Sequence, residues 1–144
     1  MKKFRERLGR ELLLMDGAMG TMLQARGLKL GELPGNMNLR APEVVRGIHA
    51  EYLAAGADIV EANTFGVSRL KFGDEAAKVV RAGIRIAREA VAQSGLEAYV
   101  AANIGPLGRL LKPVGDLDFE EAVTLFREIA ASCEEADLLL FETF

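Results

Sequence analysis

Five polar residues follow short apolar runs in positions where they could do chemistry. Asp16 comes after Leu12-Leu13-Leu14-Met15, and Asn63-Thr64 after Asp58-Ile59-Val60-Glu61-Ala62. Asn103 comes after Ala98-Tyr99-Val100-Ala101-Ala102, and Glu142 after Leu138-Leu139-Leu140-Phe141. Two of the five are carboxylates. Asp16 and Glu142 could share acid and base work across a scissile bond, as carboxylate pairs do in glycosidases. They could instead hold a substrate ammonium through charge-assisted hydrogen bonds. Spacing alone leaves both jobs open. The turn Asp16-Gly17-Ala18-Met19-Gly20-Thr21 has two glycines that let backbone N–H groups approach a ligand. It lacks the G-x-G-x-x-G spacing of a dinucleotide site and the Gly-Lys-Ser/Thr of a phosphate loop.

The remaining reactive residue types read as structural. His49 falls inside a helical pattern, away from the strand ends, and is expected to be a core histidine. Cys133 lies on an apolar helical stripe and reads as core, with no Cys or His cluster at metal-ligand spacing anywhere. Phe65 and Phe72 could wall a pocket, although aromatic residues are usually core. Arg109 and Lys112 could meet an anion, but a solvated loop explains them better.

Each apolar run is four or five residues long and bounded by polar or turn residues, as suits a strand buried on both faces of a parallel sheet. Helical periodicity fills the intervals. Residues 42–55 open with Pro42, place Val44, Val45, Ile48 and Tyr52 on one face, and stop at Gly56. Residues 74–94 open with Asp74 as a helix cap and stop at Gly95. Residues 118–135 open on Asp118-Phe119-Glu120-Glu121, which fits a capping box, and carry a stripe from Phe119 through Phe126 to Cys133. Alternating strand and helix implies a parallel α/β sheet with right-handed crossovers, either open or part of a (β/α)8 barrel. In both, the C-terminal ends of the strands share one edge, where ligands bind. The polar residues would meet there.

A chain of 144 residues is one domain, and 50% hydrophobic with 27% charged residues is ordinary for a soluble globular protein. Eighteen basic against 21 acidic residues leave a charge of -3, with no electrostatic case for nucleic acid. A single cysteine allows no disulfide framework. No apolar run approaches the roughly 20 residues that span a bilayer, and the basic start Met1–Arg7 has no apolar stretch behind it to make a signal peptide. The expected location is the cytoplasm, with no membrane partner.

Several segments together resemble the homocysteine S-methyltransferase family. They are Leu14-Met15-Asp16-Gly17-Ala18-Met19-Gly20-Thr21-Met22-Leu23, Asn38-Leu39-Arg40-Ala41-Pro42-Glu43-Val44-Val45 with Ile48-His49 and Tyr52, and Ala55 through Gly66. Asn103-Ile104-Gly105-Pro106-Leu107-Gly108 and Phe141-Glu142-Thr143-Phe144 complete the set, in the family's order and over nearly the whole chain. The Asp-Gly-Ala-Met-Gly-Thr form is most similar to the N-terminal homocysteine-binding domain of the cobalamin-dependent methionine synthase branch. Bacterial fusions to a methylenetetrahydrofolate reductase look almost as similar.

The resemblance implies a (β/α)8 TIM barrel, which normally needs about 250 residues. Residues 1–144 would then be its incomplete N-terminal half, strands one to four. It implies that Asp16 and Glu142 hold the amino group of homocysteine, with Gly17, Ala18 and Asn63 lining the pocket. It implies a zinc ion held by three cysteines of the other half, so no metal ligand carries over. It implies methyl transfer to the homocysteine thiolate to give methionine, with methylcobalamin, presented by another domain, as donor. Partners would be the rest of the barrel and cobalamin- and folate-binding domains. Taken alone the chain is expected to be inactive, and to associate through two exposed sheet edges. Two other readings stand beside this one: a small non-catalytic α/β module binding an amino acid or partner chain, and a barrel hydrolase using Asp16 and Glu142.

Overall fold

Three of the four apolar runs become strands of one parallel sheet, in the order β1 (Ile59–Ala62), β2 (Tyr99–Ile104), β3 (Leu138–Phe141). The register sets Ile59 beside Tyr99 and Ala101 beside Leu138. The computed structural model describes residues 4–144. Met1–Lys3, the start of the basic stretch that reads as no signal peptide, lie outside the described residues. The helices are α1 (Phe4–Arg7), α2 (Met19–Gln24), α3 (Met37–Arg40), α4 (Pro42–Ala54), α5 (Arg69–Phe72), α6 (Ala76–Ser94) and α7 (Phe119–Ala131). Among the described residues no helix is long and apolar enough to cross a membrane.

Residues 12–15 do not form the expected strand. Met15 makes one parallel bridge to Ile59, supported by Asp58 and Ile59 N–H donating to Leu14 O and Asp16 N–H donating to Ile59 O. Leu12, Leu14 and Met15 are exposed rather than buried on both faces. A parallel strand is held by a ladder of several residues and by layers on its faces. This segment makes a single bridge, most of its side chains are uncovered, and leucine adds little intrinsic strand preference.

The glycine stops hold: Gly56 and Gly95 follow α4 and α6 at φ of +103° and +69°, a backbone shape that glycine adopts at little cost. The caps do not. Asp74 sits in a 3₁₀ turn, Gly73–Glu75, and α6 starts one turn later without a side-chain cap. Asp118 occupies the cap position of α7 in extended backbone, but its carboxylate bonds Lys112 Nζ at 3.0 Å instead of the helix N–H groups. Phe119 is exposed, off the apolar stripe, and α7 ends at Ala131.

The sheet's two faces differ. Val60, Ala62, Val100, Ala102 and Ile104 pack against Val80, Ile84 and Ala87 of α6 and Leu125 and Ile129 of α7. On the other face Ile59, Tyr99 and Ala101 meet Leu13, Leu138 and Leu140. Phe4 sets its ring edge-on to Tyr99 at 5.3 Å. The Arg7 guanidinium stacks 5.8 Å from the same ring and bonds Asp58 at 2.9 Å. Thus α1 covers the N-terminal end of this second face.

Candidate functional site

Strand alternation dictates what stands above that apolar floor. Side chains two residues apart share a face, so Glu61 stands over Ile59, Asn103 over Ala101 and Glu142 beyond Leu140. Asp16 arrives from the bridged segment. Both its carboxylate oxygens accept the Glu61 backbone N–H at 3.1 Å. Asn103 Nδ2 donates to Glu61 Oε2 at 2.5 Å and to Glu142 Oε1 at 2.7 Å. One amide nitrogen therefore holds two carboxylates. Asp16, Gly17, Ala18, Glu61, Asn103 and Glu142 line a cleft of about 410 Å³, with Asn63 and Phe65 at its wall. Asp16 and Glu142 thus share one rim, as the strand-end argument requires.

Asn63 faces this cleft but its amide is engaged elsewhere. Its Nδ2 donates to Asn38 Oδ1 at 2.8 Å and to Pro34 O at 2.9 Å, while Asn38 Nδ2 donates back to Asn63 O. This buried amide pair ties the segment before α4 to the end of β1. Gly83 of α6 lets it fit, since a Cβ there would lie 2.7 Å from Asn38 Nδ2. Thr64 is buried and bridges strands, donating to Asn103 O at 2.7 Å and accepting its N–H at 3.0 Å. Tyr52 supports the glycine turn: its hydroxyl donates to Ala18 O at 3.1 Å, and a Cβ on Gly17 would lie 2.9 Å from it. Phe65 lies against Gly105, where a side chain would run into the ring. Phe72 packs against the core.

Glu61 was not singled out by the strand-end argument, because it lies inside an apolar run. Its signal is the period of two: a carboxylate between Ile59-Val60 and Ala62 that falls in step with Ile59. Burial pushes its carboxyl above the usual range, and the charge of Glu142 adds to this. Burial, together with Glu61, raises Asp16 to about 7 against the opposing pull of the Glu61 N–H. Among the described residues no lysine or arginine pairs with Asp16, Glu61 or Glu142. Three carboxylates gathered without a cation make a site that favours a positively charged guest.

His49 is not remote from this edge. It is fully buried on α4, and its Nδ1 lies 4.0 Å from Asp16 Oδ2. Burial lowers it to about 4, so near neutral pH the two do not form an ion pair. Arg109 pairs with Asp116 at 2.9 Å and Lys112 with Asp118, the solvated loop that the sequence implies. Cys133 is buried, with its thiol on Ile129 O at 3.2 Å and pushed up to about 11 by burial.

The homocysteine S-methyltransferase family model matches residues 13–144. The chain belongs to this family. It is 34% identical to the methionine synthase of Mycobacterium tuberculosis over 152 residues and 33% identical to that of Mycobacterium leprae over 154. These alignments take in 94% and 96% of the chain but 13% of each relative, so the chain spans about an eighth of those proteins. Among solved structures, the metallated form of the homocysteine methyltransferase MmuM from Escherichia coli superposes with a TM-score of 0.81 at 23% identity. It covers 98% of this chain and 57% of that one. The oxidised form gives 0.80 at 24% identity. These likenesses establish a homocysteine methyltransferase fold for the chain.

Proposed function

We propose that residues 1–144 are the amine-binding first half of a (β/α)8 homocysteine S-methyltransferase barrel. The observation that carries the reading is the meeting of Asp16 and Glu142 at one cleft that lacks a basic residue. The ammonium of homocysteine enters between them and supplies the missing cation. Asn103 fixes the Glu142 carboxylate, and the Glu61 N–H fixes Asp16, so the substrate's thiol end is aimed rather than merely retained. Asp16 and Glu142 do no proton chemistry on the reacting atoms. Family membership supports this reading over the hydrolase and over the free-standing module.

The family implies zinc, which lowers the pKa of a bound thiol when present. The residues here do not fit it. Among the described residues no three His, Cys, Asp or Glu side chains are placed to share a metal ion, and Cys133 lies on the helix-packed side of the sheet. No step of this chain is routed through the metal. On this reading the thiol-activating site and the donor, methylcobalamin, are met by other parts of the polypeptide, and residues 1–144 alone transfer no methyl group. The free edge of β3 and the exposed segment 12–15 are where further strands would add.

Titration calorimetry with L-homocysteine and with 4-mercaptobutanoate, which lacks the amino group, tests the clamp. Asp16→Asn and Glu142→Gln are expected to weaken homocysteine binding by about 10-fold or more and to leave 4-mercaptobutanoate within about 2-fold. Equal losses for both ligands, or no loss, would sink the ammonium clamp.

A further inference from the structure

His49 presents an anomaly that the amine clamp does not absorb. Buried polar atoms are almost always hydrogen-bonded. His49 has none of its surface exposed, and neither ring nitrogen has a partner. The nearest acceptor is Asp16 Oδ2 at 4.0 Å, about 1 Å beyond a hydrogen bond. Asp16 is equally enclosed, its side chain 1% exposed, and its carboxylate accepts backbone N–H groups, from Glu61 and from Asp16 itself, but no side-chain donor. A buried ring nitrogen without a partner and a buried carboxylate oxygen therefore face each other across 4.0 Å.

The surroundings leave the pair to itself. Asp16 faces the Glu61 carboxylate and N–H from β1 and His49 from α4, while the Tyr52 hydroxyl of α4 is engaged by Ala18 O. The charged side chains around α4 pair with one another: Arg26 with Glu51, Arg46 with Glu89, Arg85 with Glu89 and Arg40 with Glu32. Burial is the one cause that moves His49, and it keeps the ring neutral, with a single N–H to give.

We infer that His49 is a positioning residue for Asp16: when an ammonium-bearing substrate enters, the His49 Nδ1–H closes onto Asp16 Oδ2 and holds the carboxylate ionised and aimed. The inference rests on the amine clamp proposed above. It names an equilibrium in the empty cleft, between a protonated Asp16 that leaves His49 unbonded and an ionised Asp16 that takes the histidine's proton as a hydrogen bond. No proton is transferred to the ring. The guest's positive charge selects the second state. Homocysteine affinity should then depend on pH through Asp16, with His49 setting the midpoint.

The test compares His49→Phe, which keeps ring volume without the donor, with His49→Asn, whose amide reaches about as far as Nδ1. In the 144-residue chain joined to the rest of its polypeptide, His49→Phe is expected to bind L-homocysteine about 10-fold more weakly at pH 7 and to regain most of that loss by pH 8.5. His49→Asn should keep the wild-type profile, and 4-mercaptobutanoate should respond to neither. If Asp16→Asn abolishes discrimination between the two ligands while His49→Phe leaves the pH profile unchanged, the role given to His49 is wrong and the clamp stands. If Asp16→Asn also changes nothing, the clamp itself falls. A pH-independent loss shared by both ligands marks His49 as packing only. Should His49→Phe fail to fold, the wild-type ring decides. His49 is the one histidine of residues 1–144, and its imidazole ¹⁵N signals in the joined polypeptide are those that disappear in His49→Asn. A protonated Nδ1 in the bound state supports the contact, and a protonated Nε2 overturns it.

Discussion

The two faces of the sheet do different work. The helix side is apolar throughout the strands: Val60, Ala62, Val100, Ala102 and Ile104 lie under α6 and α7, and every one is buried. The opposite face is layered, with Ile59, Tyr99 and Ala101 below and Glu61, Asn103 and Glu142 above. The first face gains free energy from burial and can tolerate any side chain of suitable shape. The second face crowds half-buried Glu61 and Glu142 beside the enclosed Asp16 carboxylate, a local cost that the rest of the core must offset. Stability and chemistry are thus separated by the alternation of a single strand: Val60 serves one and Glu61 the other.

The largest expected effect probes the costly face by pH. Folded Asp16 sits near 7 against an ordinary 3.8, so it keeps a proton that the unfolded chain releases. Its contribution to stability is full below about pH 4 and is lost as pH rises through 7, up to about 4 kcal/mol. His49, near 4 against 6.5, works in the opposite sense: stability is lost as pH falls from 6.5 to 4. The two slopes oppose each other, so urea midpoints of the wild type should change little over pH 4 to 6.5 on their account. Asp16→Asn should become more stable with rising pH in that window, and His49→Phe less stable. Parallel slopes in the two variants would contradict the paired burial.

Ile84→Ala probes the other face. Ile84 is 1% exposed in the α6 core, and truncation should cost about 3 kcal/mol in urea unfolding. The ratio of homocysteine to 4-mercaptobutanoate affinity should not move. Gly83→Ala, one position away, should fail to give the usual helix gain. The new Cβ meets the Asn38–Asn63 pair, so a loss of about 1 to 2 kcal/mol is expected. A net stabilisation would show that this junction yields. Asn103→Ala reverses the Ile84 pattern. It frees Glu61 and Glu142 from their shared nitrogen, and homocysteine should bind about 10-fold more weakly, by calorimetry, with under about 1 kcal/mol lost in stability. The smallest effect is expected for Tyr52→Phe, which removes one hydrogen bond to Ala18 O and should lower stability by about 0.5 to 1 kcal/mol.

Periodicity made three strands, the parallel sheet and the long helices legible, because burial on both faces leaves continuous apolar runs. The run at residues 12–15 has the same appearance, but a strand also needs neighbours, which four residues of sequence do not reveal. Asp74 and Asp118 have the residue type of a cap, yet the short turn at Gly73–Glu75 and the nearby Lys112 take them away from that job. Asp16 and Glu142 were legible as strand-end carboxylates. Glu61 and His49 were not, because each sits inside an element whose other residues are core. Recognising them requires knowing which strand face turns inward and which helix lies behind the first turn.

The short α1 segment acts as a stopper. Phe4 and Arg7 close over Tyr99 at the end of the inner face opposite the carboxylates. On the amine-clamp reading, a loosened α1 that wets the floor beneath Glu61 and Asp16 is expected to ease their ionisation and carry amine binding to lower pH. The dryness of one mouth of the sheet would then set the working range of the other.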